Sequence, residues 1–101
     1  MGFDVVLYSR EGRKLRLIEL TEHLHNEIFD SNKMWRSYSE LRRLSDYYLT
    51  DEIFSGERLS NLISDLNNYK LFISVNKLNE YEEFIKQISR SDIGKVHIAG
   101  D

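Results

Sequence analysis

The stretch at residues 70–99, KLFISVNKLNEYEEFIKQISRSDIGKVHIA, decides the predicted fold. Its first apolar run, residues 71–75, shows no alternation with polar residues, which predicts a strand buried on both faces. Residues 78–88 then place apolar side chains three and four positions apart, the pattern of an amphipathic helix. A second apolar run at residues 96–99 follows Gly94. Strand, helix and strand in this order predict a βαβ unit with a right-handed crossover between two parallel strands.

The N-terminal part of the chain predicts one further strand and one ambiguous element. Residues 3–9 are rich in valine and leucine and predict the first strand. Residues 14–20 have two interpretations, because their alternation fits the second strand of a hairpin, whereas helical spacing runs through them to Ile28. We favour a helix over about residues 17–29, which begins later if Thr21 is its N-cap.

Two more helices are predicted in the middle of the chain. Ser37 and Glu40 have the spacing of a capping box, so a helix is expected over residues 37–48. A clear apolar stripe predicts another helix over residues 56–68, and residues 50–54 are expected to be a connection.

Together these elements predict a single domain spanning residues 1–101, of the α/β class with α+β as the alternative. It would contain about three mostly parallel strands and about four helices, and its C-terminal part would be the βαβ unit. A hairpin at residues 3–17 would add an antiparallel edge strand.

Composition limits the classes of function. The 101 residues include no cysteine, 17 acidic residues and 14 basic ones, for a net charge of −3. An acidic balance argues against direct nucleic-acid binding, which needs an excess of cations. No apolar run is long enough for a membrane span, and the first residues do not resemble a signal peptide. We therefore expect a cytoplasmic protein that binds neither membranes nor nucleic acid directly.

No motif for chemistry stands out, so no enzymatic activity, metal or cofactor is predicted. His23 and His25 are two positions apart and point away from each other in a helix, so exposed helical histidines are expected rather than metal ligands. His97 lies in a predicted strand, as a half-buried structural residue or as a catalytic base that would need an orienting partner. A remaining alternative is an enzyme whose site is assembled from scattered residues such as His97 and Asp4.

The segment at residues 34–54 combines aromatic and acidic side chains and is the predicted partner-binding surface. Tyrosine and tryptophan are enriched at interface hot spots, and acidic neighbours speed the approach of a basic partner. The predicted binding residues are Trp35, Tyr38, Asp46, Tyr47, Asp51 and Glu52. The alternative is that the aromatic side chains of this segment fill the core.

A small, cysteine-free, mildly acidic chain that opens with FDVVLYSREG resembles the bacterial immunity proteins that neutralise polymorphic toxins, including those of contact-dependent growth inhibition. The predicted order of elements is also similar to that of barstar. No residue role is carried over, because residues 46–50 have the paired tyrosines of the barstar-type Tyr-Tyr-Gly-x-Asn segment without its glycine and asparagine. The resemblance implies an inhibitor that covers the active site of a cognate toxin, often a basic nuclease domain. The alternative is a small adaptor or regulatory domain that binds another protein.

Overall fold

The computed structural model describes residues 2–46 and 49–100, which form an α+β domain. Four strands make one antiparallel sheet in the order β2-β1-β4-β3: β1 Gly2–Ser9, β2 Lys14–Thr21, β3 Asp51–Ser55 and β4 Ile93–Ala99. The three α-helices are α1 Glu22–Phe29, α2 Gly56–Tyr69 and α3 Val75–Ile88. Three short 3-10 helices lie between them, at Met34–Ser37, Leu41–Leu44 and Lys70–Phe72.

The predicted parallel sheet is therefore wrong, and the error originates in residues 71–75. This run does not form a strand: Lys70–Phe72 is a 3-10 turn, and α3 begins at Val75. Leu71 and Val75 are 76% and 87% exposed, and Ile73 is buried. A short apolar run does not by itself distinguish a buried strand from a helical connection. The residues described here contain an α2–α3 helical hairpin in place of the predicted βαβ unit, and β4 pairs antiparallel with both of its neighbours.

The ambiguous residues 14–20 are the second strand of a hairpin, so the favoured helix over residues 17–29 is wrong in its first part. Gly12 adopts a φ of 88° in the connecting turn, a conformation that side chains with a Cβ rarely adopt. Thr21 is the N-cap of α1, as considered from the sequence: its hydroxyl accepts a hydrogen bond of 3.2 Å from the Leu24 amide. Leu17 lies in the strand and not in the helix.

The middle of the chain also departs from the predicted pattern. The helix predicted over residues 37–48 is absent from its described part, where the 3-10 helix Met34–Ser37 ends and the 3-10 helix Leu41–Leu44 follows. The capping box does not form there, because the carboxylate that accepts from the Glu40 amide, at 2.9 Å, belongs to Asp65 of α2. The predicted connection at residues 50–54 contains most of β3. The helix predicted over residues 56–68 is confirmed as α2.

The core lies between one face of the sheet and the helices. The strand residues that face it are fully or almost fully buried: Phe3, Val5, Leu7, Leu20, Phe54, Val96 and Ile98. Helix residues complete this cluster, and two tyrosines in it satisfy their hydroxyls on main-chain carbonyls. Tyr69 donates to the Ile28 carbonyl at 2.7 Å, and Tyr81 donates to the Leu66 carbonyl at 2.5 Å. The helices therefore cover the inner face of the sheet.

Candidate functional site

The outer face of the sheet carries the alternate residues of the four strands. None of its described side chains belongs to the core cluster or packs against it. Leu17 and Ile53, the two large apolar residues at its sides, are 57% and 49% exposed. The outer face is thus a surface of the molecule and not a second core.

The strand register arranges the outer face in three rows that cross all four strands. The acidic row consists of Glu19, Asp4, Ala99 and Asp51. The apolar row consists of Leu17, Val6, His97 and Ile53. The basic row consists of Lys14, Tyr8, Lys95 and Ser55. Lys14 pairs with Tyr8 beyond a β-bulge, where the register skips Leu15. Because residues paired across neighbouring strands share a face, the charges are segregated on opposite sides of the apolar row.

Two contacts hold side chains within this face. Nε2 of His97 lies 2.5 Å from a carboxylate oxygen of Asp51, linking the apolar row to the acidic row. Nζ of Lys95 lies 4.4 Å from the ring centre of Tyr8, a cation–π contact within the basic row. The carboxylate that contacts His97 is thus that of Asp51. Asp4, named with His97 as a scattered residue of the alternative enzyme site, pairs with Ala99 and Glu19 in the register.

A groove of about 300 Å³ lies on the helix side of the sheet, between the edge strand β2 and helix α3. Its walls include the apolar side chains of Ile18, Leu24 and Phe84. Three carboxylate residues line it as well: Glu19, Glu80 and Glu83.

Two hydrogen bonds between strand and helix connect β2 with α3 beside the groove. Arg16 donates to the Gln87 side chain at 2.6 Å, and the Thr21 hydroxyl donates to a carboxylate oxygen of Glu80 at 3.3 Å. The groove therefore lies beside an edge strand and has apolar walls and three carboxylates. The nearby Arg16 is already hydrogen-bonded to Gln87.

Of the three predicted aromatic binding residues, the two that the structure describes, Trp35 and Tyr38, are half-buried and pack against the core. The Trp35 indole donates to the Phe29 carbonyl at 2.9 Å and its ring packs edge-on against the ring of Phe29. Tyr38 packs edge-on against Tyr69 with ring centres 5.4 Å apart. Each ring thus combines a packing role with a partly exposed edge.

The predicted acidic residues do not converge on one surface. Asp51 and Glu52 are consecutive in β3 and point to opposite faces, since Asp51 lies in the acidic row and Glu52 on the helix side. Asp46 is exposed and accepts a 2.9 Å hydrogen bond from the Leu49 amide. Tyr47 lies outside the described residues.

Glu52 is held in an ionic cluster with Glu40, Arg43 and Arg58. Arg58 lies 3.0 Å from a carboxylate oxygen of Glu52 and 3.4 Å from one of Glu40, and Arg43 lies 3.2 Å from the same Glu40 oxygen. The hydrogen bond to Glu52 raises the pKa of Arg58, with the neighbouring Glu40 adding to the effect. The charge of Glu52 is therefore balanced within the chain.

The prediction that both histidines of α1 are exposed is wrong for His25. His23 is exposed, but His25 is buried between the rings of Phe3 and Phe29, with Nε2 3.1 Å from the Leu44 carbonyl. Burial lowers the pKa of His25, because the charged imidazole loses its hydration there. In α1, which begins at Glu22, His25 lies on the buried side of the helix together with Leu24 and Ile28.

Within residues 2–46 and 49–100 there is no group of three or more metal-ligating side chains placed to hold an ion. None of the helices in this part of the chain is long and apolar enough to cross a membrane. Comparisons with protein families, with curated proteins and with solved structures gave no match.

The sequence prediction missed both surfaces. The alternation of Asp4, Val6 and Tyr8 against buried neighbours was a signal for the outer face, once residues 14–20 are taken as a strand. No local pattern signals the groove, because its walls come from residues about sixty positions apart along the chain.

Proposed function

We propose that this chain is a non-enzymatic protein-binding domain that neutralises a basic partner, in the manner of an immunity protein acting on a toxin domain. The observation that carries the proposal is the groove between β2 and α3, which combines apolar walls with the carboxylates of Glu80 and Glu83. Such a surface complements a lysine or arginine side chain, whose stem is apolar and whose head is cationic.

The position of the groove beside β2 supports a polypeptide as the ligand. β2 is one of the two edge strands of the sheet, so the outward N–H and C=O groups of its backbone pair with no other strand of the described residues. An extended segment of a partner pairs with such an edge and places alternate side chains into neighbouring pockets. The edge and the groove together therefore suit one strand of a partner that carries basic side chains.

Neutralisation follows from the charges. A nuclease active site concentrates lysine and arginine side chains that bind phosphates. Carboxylates of an inhibitor occupy the same positions and exclude the substrate, and opposite charges speed the encounter. Glu80 and Glu83 are both exposed at the groove, so they are available to a partner in this way.

The proposal predicts that a toxin gene lies immediately upstream of the gene for this chain. The test produces the domain encoded there in a bacterial host, with or without this chain. Wild-type chain should restore growth and form a stoichiometric complex with the domain. Glu80→Lys/Glu83→Lys should weaken that complex at least tenfold, because two attractive charges become repulsive. Titration calorimetry measures the affinity, and circular dichroism confirms that the variant is folded.

A matched control separates the groove from general charge. Glu57→Lys/Glu82→Lys makes the same change in net charge on exposed residues of α2 and α3 that do not line the groove. It should bind like the wild type. Asp46→Lys/Asp51→Lys tests the surface predicted from the sequence.

If Asp46→Lys/Asp51→Lys loses binding and Glu80→Lys/Glu83→Lys does not, the groove is the wrong surface. If the wild-type chain neither binds nor protects against the domain, the inhibitor proposal fails. A different, non-toxic protein that binds the groove would then identify an adaptor.

A further inference from the structure

We infer that the outer face of the sheet is a self-complementary surface that binds a second copy of this chain. This goes beyond the proposed function, because the groove opens between β2 and α3 on the helix side, whereas the outer face lies on the opposite side of the sheet. Glu19, at the edge between them, belongs to both surfaces. The inference rests on the order of the three rows: acidic, apolar and basic.

A two-fold axis along the apolar row, in the plane of the face, brings two copies into register. Rotation about it reverses the strand direction and places the acidic row of each copy over the basic row of the other. Rotation about an axis parallel to the strands would instead oppose acidic rows to each other, which like charges disfavour. The charge pattern therefore selects one isologous arrangement.

Specific positions match in that arrangement. Glu19 of one copy faces Lys14 of the second copy at one side of the interface. Lys95 of the second copy faces Ala99, whose small side chain leaves room between Asp4 and Asp51. Each copy supplies both sets of contacts, so each match occurs twice.

The apolar row supplies the part of the interface that excludes water. Leu17, Val6 and Ile53 meet their own counterparts across the axis, as inner faces do in aligned sheet packing. His97, the polar member of the row, also meets its counterpart there, with Nε2 held by Asp51. Strands spaced by about 4.8 Å and rising about 3.4 Å per residue give a face of roughly 19 by 17 Å. The area of this face, about 320 Å² per copy, is smaller than the roughly 800 Å² per partner of a standard interface, so we expect a weak, micromolar dimer.

Charge reversal on the two outer rows provides the test. In the first variant, Asp4→Lys/Glu19→Lys makes both charged rows basic overall, and in the second, Lys14→Glu/Lys95→Glu makes both acidic. Sedimentation velocity at low salt, across the micromolar range, should show the wild type associating and each variant alone as a monomer. An equimolar mixture of the two variants should form a heterodimer, because every opposed pair of rows is then attractive.

Three outcomes would overturn the inference. The first is a wild-type chain that stays monomeric up to millimolar concentration. The second is association that persists in either variant alone, which would assign it to another surface. The third is a mixture of the variants that remains monomeric. Glu57→Lys/Glu82→Lys, with a change in net charge equal to that of the first variant, should associate like the wild type.

Discussion

The two faces of the sheet are built by the same four strands and differ in what they contact. Inner-face residues such as Val5 and Ile98 are completely buried under the helices, whereas Leu17 and Ile53 of the outer face stay about half exposed. Packing dictates the size and polarity of every inner side chain. The outer face is free of that constraint, so its charges can be ordered in rows. The fold is specified on the inner face, whereas the outer face is the surface that we propose binds a second copy.

The largest expected effect separates the two faces with the same substitution. Ile98→Ala should lower the free energy of unfolding by about 2–5 kcal/mol, because it opens a cavity in the core. Ile53→Ala, on the outer face of the neighbouring strand, should cost less than about 1 kcal/mol. Urea denaturation of dilute samples measures both. Equal losses would show that the outer face is packed as tightly as the inner one.

A smaller effect is expected from single hydroxyl groups. Tyr69→Phe should cost about 1–2 kcal/mol, since it removes a buried donor from the Ile28 carbonyl and from the Asn32 side chain. Burial raises the pKa of Tyr69 to about 12, so its hydroxyl stays a donor throughout the neutral range. Tyr8→Phe on the outer face should be nearly neutral by the same denaturation measurement. A neutral Tyr69→Phe would contradict the role given to this hydroxyl.

Acid should destabilise the protein through His25, which is buried in α1 against the inner-face residue Phe3. The pKa of His25 is lowered in the folded state, so below its unfolded value of about 6.5 the unfolded chain binds more protons than the folded one. Stability should therefore fall as the pH drops through and below that value, by about 1.4 kcal/mol per pH unit at most. Thermal unfolding between pH 7.5 and 5.5 should show a smaller loss for His25→Gln. If the pH dependence of His25→Gln matches that of the wild type and of His23→Gln, another group causes it.

The smallest effect on stability should accompany a clear effect on association. Leu17→Ser should change the free energy of unfolding of the monomer by about 0.5 kcal/mol or less, because the side chain lies outside the core cluster. It should weaken the dimer about tenfold or more, because the Leu17 side chains of the two copies meet at one end of the axis and both are lost. Dilute denaturation and sedimentation measure the two effects separately. A large loss of monomer stability would place Leu17 in the core.

The sequence predicted the elements with strong periodicity and missed those that depend on distant contacts. The apolar stripe of α2 and the strand β1 were predicted correctly. The antiparallel topology was not, because residues 71–75 have the composition of a strand while their helical turn is set by α2 and α3 on either side. Likewise, the amide of Glu40 is capped by Asp65, which is 25 positions away and leaves no local signal. The position of Asp51 on the outer face could not be predicted, because residues 50–54 were expected to be a connection, whereas Asp51–Ser55 is a strand.

The most direct test of the account is chemical crosslinking of single cysteines, for which the chain offers a clean background because it contains none. Leu17→Cys places a thiol beside the proposed two-fold axis, where it faces its own counterpart. Glu19→Cys faces Lys14 of the second copy instead, and Ser64→Cys lies on the exposed side of α2. With a short bismaleimide reagent, the account predicts rapid covalent dimer formation for Leu17→Cys and slow, collision-limited formation for the other two. Equal rates for all three variants, or fastest crosslinking at Ser64→Cys, would contradict the assignment of the outer face as the surface that binds a second copy.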